Sequence, residues 1–86
     1  MIQIKIRLYG SLRDGVQKSE GVLRVNAPIL VSEVKERVSS VFDAQDLSWL
    51  AVLNDSVLAN EVMILTEETL ISTDVSLAVL PPVCGG

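Results

Sequence analysis

The sequence has 86 residues and a hydrophobic content of 49%, enough for one small domain with a single core. Its net charge of −4 argues against nucleic acid as a partner, and the lack of a bilayer-length apolar run argues against a membrane. With one Cys and no His, the chain offers neither an internal disulfide nor a Cys–His nucleophile, and no cluster has metal-ligand spacing. These features predict a cytoplasmic binding module or subunit without a bound cofactor, rather than an enzyme that acts alone.

The N-terminal third of the chain predicts a β-hairpin. Apolar and polar residues alternate over residues 2–8, as in a strand with one buried face. Two glycines within residues 9–15 predict a turn, with room for a helical turn around residues 11–14. A second strand is predicted near residues 21–26, so the turn joins two neighbouring strands.

The middle of the chain predicts an amphipathic helix over residues 31–42. Valines recur there at helical spacing, and charged residues fall on the other side. Ser32 is a candidate N-cap, and Glu33 stands where a negative charge favours the helix dipole. Because β-branched residues lower helix propensity, the prediction rests on amphipathicity rather than on propensity.

Strands are predicted for the rest of the domain. We interpret the apolar run of residues 50–53, which ends at the turn-prone pair Asn54-Asp55, as a short strand. Residues 57–65 predict a weak strand with irregular structure, and the polar residues 66–69 predict an exposed loop. Residues 75–80 predict the last strand, and the unbroken apolar sequence of residues 77–80 predicts burial on both faces.

The order of these elements predicts an α+β fold of the β-grasp (ubiquitin-like) type. In that arrangement, one main amphipathic helix packs across one face of a mixed sheet, and the last strand lies parallel to the first in the sheet centre. We therefore predict a β-grasp domain of residues 1–80, followed by an extended C-terminal Gly-Gly tail of residues 81–86.

The tail is uncharged apart from its terminal carboxylate and consists of Pro81, Pro82, Val83, Cys84, Gly85 and Gly86. Two prolines favour an extended stalk, and two glycines let the backbone enter a channel too narrow for side chains. We predict that residues 81–85 bind in such a channel of a partner and that the Gly86 carboxylate is the reactive group. Coupling to AMP with ATP would activate this carboxylate, and a sulfur nucleophile would then displace AMP to leave a thiocarboxylate.

The thiol of Cys84 lies close to this carboxylate in the sequence, and it has two interpretations. In the first, it attacks the activated Gly86 or forms a disulfide with a partner. In the second, it is a small uncharged residue that passes through the channel. We favour the second interpretation.

The tail sequence Pro-Pro-Val-Cys-Gly-Gly resembles the end of the MoaD-type small subunit of molybdopterin synthase, one of the MoaD/ThiS ubiquitin-like sulfur carriers. Tyr-Gly-Ser-Leu-Arg-Asp at residues 9–14 also resembles this family's aromatic-small-x-Leu-Arg-Glu segment. The resemblance implies a non-catalytic small subunit that donates sulfur from Gly86 for molybdenum cofactor synthesis. It implies two partners, an E1-like adenylating enzyme that uses ATP and a large synthase subunit that carries the catalytic groups.

Other functions stay open from the sequence. A sulfur carrier of this kind can serve thiamin synthesis, tRNA thiolation or cysteine synthesis, although the Pro-Pro-Val ending favours molybdopterin. A ubiquitin-like protein modifier would be joined through Gly86 to lysines. A β-grasp interaction domain with an inert tail would undergo neither reaction.

Overall fold

The structure, a computed structural model, describes residues 1–82 of the chain. A mixed sheet of five strands has the order β2-β1-β7-β4-β5, and a small two-stranded sheet pairs β3 with β6. The strands are β1 (Ile2–Leu8), β2 (Glu20–Val25), β3 (Ile29–Leu30), β4 (Val57–Ala59), β5 (Ile64–Leu65), β6 (Leu70–Ile71) and β7 (Val75–Leu80). The helices are α1 (Val31–Val41) and α2 (Leu47–Asn54), with a short 3-10 helix at Gly10–Arg13.

The predicted hairpin and the central last strand are both confirmed. β1 pairs antiparallel with β2 on one side and parallel with β7 on the other. The even residues of β1 are all buried and the odd ones all exposed, as the alternating sequence predicts. The 3-10 helix forms where a helical turn was expected, between the two strands of the hairpin. β1 and β7 therefore form the centre of the sheet.

Helix α1 covers one face of the sheet, as predicted, but its predicted N-cap is wrong. Leu30 occupies the N-cap position without a side-chain hydrogen bond, and Ser32 lies inside the first turn. Carbonyl groups of the neighbouring loop instead satisfy two of the free backbone donors. Val31 N–H donates to the Thr69 carbonyl at 2.9 Å, and Ser32 N–H donates to the Glu67 carbonyl at 3.1 Å. A side-chain cap is therefore unnecessary at this helix start.

The predicted strand at residues 50–53 is also wrong, because these residues belong to helix α2. The Asp46 carboxylate caps this helix by accepting from the N–H groups of Ser48 at 2.8 Å and Trp49 at 3.2 Å. Trp49 and Leu53 are buried, and their spacing of four places them on the same side of the helix. Asp46, which lies ahead of the apolar run of residues 50–53, thus favours a helix over a strand there.

The following region matches the prediction of weak strand structure. Residues 57–65 contain β4 and β5, which pair with each other antiparallel, and β4 also pairs with β7. Residues 66–68 are exposed, as expected of a polar loop, and Thr69 is half-buried. In this loop, Glu67 forms an ion pair with Lys35 of α1, with 3.5 Å between Glu67 Oε1 and Lys35 Nζ. The loop is therefore tied to α1 by its carbonyl groups and by a side chain.

Strand β7 is buried on one face only, which corrects the prediction of burial on both. Leu77 and Val79 point into the core, while Ala78 and Leu80 on the other face are half-buried. The core lies between the sheet and α1, and Ile4, Val34, Val38 and Val79 have no exposed surface. No helix within residues 1–82 is long and apolar enough to cross a bilayer.

Candidate functional site: the base of the tail and the outer sheet face

The structure describes the first two residues of the predicted tail, Pro81 and Pro82. The other predicted site residues, Val83, Cys84, Gly85 and Gly86, lie outside the described residues. Pro81 follows β7 directly, and it is half-buried whereas Pro82 is exposed. The part of the site that the structure describes therefore consists of the base of the tail and the surface around it.

The tail leaves the domain from the middle of the sheet. Its strand β7 has hydrogen-bonded neighbours on both sides, β1 and β4. Leu8 at the end of β1 pairs with Val79 near the end of β7, so the two parallel strands finish side by side. The loop that follows β1 consequently stands next to Pro81. This arrangement fixes the point from which the tail leaves the domain.

The face of the sheet that α1 does not cover carries an apolar area next to this point. We call Val57, Ile64, Ala78 and Leu80 the outer patch. Val57 pairs with Leu80, while Ala78 and Ile64 lie on either side of Ala59 in one cross-strand row. Val57 is 41% exposed and Ile64 is 62% exposed. Because exposed aliphatic side chains in one cluster favour contact with another protein, the outer patch is a candidate interface.

The other half of the same face is charged. Arg7 continues the row beyond Ala78 and forms an ion pair with Glu20 on the neighbouring strand β2. The neighbouring side chains of Tyr9 and Glu20 raise the pKa of the Arg7 guanidinium. A shallow groove between the two halves is lined by Lys5, Arg7 and Tyr9 among others. The outer face is thus divided into an apolar half on β7, β4 and β5 and a charged half on β1 and β2.

Some parts of this site were not predicted. The exposed face of β7 was not predicted, because an unbroken apolar run indicates a strand that is buried on both faces. The outer patch also depends on pairing between β7, β4 and β5, which short strands do not reveal in sequence. Trp49, which lies on α2 away from this face, is 7% exposed and belongs to the core. Within residues 1–82, no cluster of side chains has the composition of a metal site.

Comparisons with known proteins agree on the fold. No protein-family model matches the sequence, and no curated protein matches it either. SAMP1 from Haloferax volcanii, a small archaeal modifier protein, superposes with a TM-score of 0.75 at 14% identity, covering 98% of this chain and 99% of that chain. The chain has a β-grasp fold.

Two further structures carry molybdopterin-related names. A putative molybdopterin converting factor subunit 1 from Pyrococcus furiosus has a TM-score of 0.71 at 13% identity, covering 96% of this chain and 100% of that chain. A chain from the complex of subunits 1 and 2 of the molybdopterin-converting factor of Helicobacter pylori has a TM-score of 0.62 at 16% identity. There the match covers 99% of this chain and 100% of that chain. At these identities the likeness shows the fold alone.

Proposed function

We propose that this chain is a ubiquitin-like sulfur carrier that donates sulfur for molybdopterin synthesis. In this proposal, residues 1–80 form the carrier body and residues 81–86 form the reactive tail. The observation that carries the proposal is the position of Pro81 and Pro82. These two residues follow the central strand β7 and lie beside the outer patch. Because the tail follows a central strand, the point at which it leaves the domain is fixed. A carrier needs such a fixed point so that the end of its tail can reach the active site of a partner.

The chemistry of the proposal takes place at the Gly86 carboxylate. An E1-like adenylating enzyme couples this carboxylate to AMP, and ATP loses pyrophosphate. A sulfur nucleophile then attacks the acyl carbon and AMP leaves, which yields a thiocarboxylate at Gly86. The chain itself contains no His and needs no bound cofactor for these steps, because ATP and the acid–base groups belong to its partners.

The second proposed partner is a large synthase subunit that receives the tail. The outer patch lies next to Pro81, so one partner surface can contact both the patch and the tail. Burial of apolar area contributes about 25 cal/mol per Å² before the costs of association. The Helicobacter pylori structure, a complex of subunits 1 and 2 of a molybdopterin-converting factor, has a chain of this fold and supports a partner of this kind.

Intact-mass spectrometry tests the carrier chemistry directly. The purified chain is incubated with an E1-like adenylating enzyme of the MoaD/ThiS type, ATP and a sulfide donor. We expect a gain equal to the mass difference between sulfur and oxygen, located at Gly86. A chain that lacks Gly86 is the matched control and should not gain this mass, although its thermal stability should match that of the wild type. No gain by the wild-type chain with an adenylating enzyme proven on its own carrier would overturn the proposal.

Pterin conversion separates the molybdopterin role from other sulfur pathways. The thiocarboxylate form is mixed with the pterin precursor, with and without a large synthase subunit. We expect conversion only when the large subunit is present. A loaded carrier that never supports conversion, but thiolates tRNA or supplies thiamin synthesis, would assign the chain to another pathway.

A protein modifier is the second candidate function, because the similar SAMP1 structure from Haloferax volcanii is a small archaeal modifier protein. A modifier forms isopeptide bonds through Gly86 and gives high-mass conjugates in the producing cells. A carrier gives the thiocarboxylate instead. Denaturing gels and mass spectra of the same cell extract therefore distinguish the two.

A further inference from the structure

Pro81 at the base of the tail packs against Gly10. A Cβ atom placed on Gly10 would lie 2.8 Å from Pro81 Cγ and 3.6 Å from Pro81 Cδ. The first distance is shorter than a van der Waals contact between carbon atoms. Gly10 also has a φ of 58°, in the left-handed region that side-chain-bearing residues avoid. Both the close approach of Pro81 and the positive φ favour glycine at this position. Only the close approach involves the tail.

The backbone around Gly10 is held in place by the core. Gly10 begins the 3-10 helix, in which Leu12 is completely buried. The Leu12 carbonyl accepts a buried hydrogen bond from the Trp49 indole N–H at 2.8 Å. Trp49 is in turn fixed at the start of α2, where its backbone N–H donates to Asp46. The backbone at Gly10 is therefore held in a fixed position, and the Pro81 ring packs against it.

We propose that Gly10 is a positioning residue that sets the direction in which the tail leaves the domain. The inference rests on the proposed function, because direction matters only if the tail must enter a partner. Proline restricts its own φ, and two successive prolines favour an extended segment of about 3.1 Å per residue. An orientation fixed at Pro81 is therefore passed to Pro82.

The test compares two glycines that both have a positive φ but differ in surroundings. Gly15 has a φ of 82°, and a Cβ placed on it would meet nothing within 4 Å. Gly10→Ala and Gly15→Ala therefore both place a side chain at a positive φ, while Gly10→Ala alone displaces Pro81. The rate of AMP-dependent sulfur loading is measured against carrier concentration for both variants, together with their thermal unfolding.

We expect Gly10→Ala to raise the KM for the carrier about tenfold with kcat nearly unchanged, because a displaced tail enters the partner less often. Gly15→Ala should keep the wild-type KM. Replacing Pro81 by Ala removes the ring atoms that the new methyl group would meet. The double variant Gly10→Ala/Pro81→Ala should therefore have the KM of Pro81→Ala alone. Equal KM values for Gly10→Ala and Gly15→Ala, in chains that are loaded normally, would overturn the inference and leave the proposed function intact.

A second measurement needs no partner and no activity. In the free wild-type protein, nuclear Overhauser contacts between the Gly10 α-protons and the Pro81 ring protons should be strong, and Gly10→Ala should weaken them. Absence of these contacts in the wild-type protein would overturn the inference. Their presence in a chain that cannot be loaded would instead contradict the proposed function alone.

Discussion

At the scale of single residues, Trp49 joins helix α2 to the loop after the first strand. Its indole N–H donates to the Leu12 carbonyl, and both residues are buried. Tryptophan is highly buried on average, but the sequence does not predict the acceptor of its indole N–H. That acceptor is 37 positions away along the chain, and local patterns carry no information about such a pair.

Replacing Trp49 by Phe tests this link. Phe keeps an aromatic ring but has no N–H, so the buried Leu12 carbonyl loses its donor. We expect the free energy of unfolding to fall by about 1–3 kcal/mol, the usual cost of an unpaired buried polar group. Chemical denaturation gives the value. Leu47→Ala, an 82% exposed site on the same helix, is the control and should change stability by less than about 0.5 kcal/mol. Equal effects would mean that the indole hydrogen bond contributes nothing.

Asp46 should make stability depend on pH. The hydrogen bond from the Ser48 hydroxyl, followed by those from the backbone N–H groups of Trp49 and Ser48, lowers the pKa of this carboxyl in the folded chain. An unfolded Asp has a pKa of about 3.9. The contribution of Asp46 is therefore complete above that pH, and it is lost as the pH falls through the lower folded pKa.

We expect Asp46→Asn to fall less steeply in stability than the wild type as the pH drops below about 4. Asn retains the capping geometry but does not titrate in this range, so it isolates the charge. Thermal unfolding at a series of pH values supplies the comparison. Parallel profiles for the two proteins would show that the Asp46 carboxyl has the same pKa folded and unfolded.

At the scale of elements, the alternating strand β1 was predictable and helix α2 was not. Strand β1 alternates through its whole length, so its buried face follows from the sequence. The run Leu50–Leu53 is too short to distinguish a strand from a buried helix by apolar content. Asp46 stands four positions before that run and contributes the deciding interaction. A search for N-caps ahead of each apolar run would have identified it.

The contact between α1 and β2 depends on Gly21. A Cβ placed there would lie 2.5 Å from Val41 Cγ1 and 3.4 Å from the Phe42 ring. Because a valine in a helix has one strongly preferred rotamer, Val41 cannot easily turn away. We expect Gly21→Ala to lower the free energy of unfolding by about 1–3 kcal/mol, as overpacking does.

A double-mutant cycle with Val41→Ala provides the control for Gly21. Removing the Val41 methyl groups makes room for the added Cβ, so Gly21→Ala should cost less in that background. Denaturant unfolding of the four proteins gives the coupling energy. Additive costs would show that the helix and the strand are farther apart than the structure indicates.

At the scale of the whole molecule, the topology places the tail base and the outer patch together. The β-grasp order was predictable because the hairpin, the helix and the last strand each have a strong pattern. The outer patch was not, because it combines residues of β7, β4 and β5, whose order in the sheet differs from their order in the chain. The division of the outer face into an apolar and a charged half leads to a prediction about the partner.

Aspartate substitutions at two valines of the outer face test where the partner binds. Val57 is 41% exposed beside the tail base, whereas Val22 is 48% exposed on β2 in the charged half, opposite Lys5. We expect Val57→Asp to weaken binding to the proposed large subunit about tenfold or more, because the interface would bury an unpaired charge. Val22→Asp should bind like the wild type and should fold equally well. An interface held by apolar burial should also tolerate salt, because screening acts on charges. Titration calorimetry at low and high salt measures both effects, and a stronger loss for Val22→Asp, or for the wild type in salt, would move the interface to the charged half.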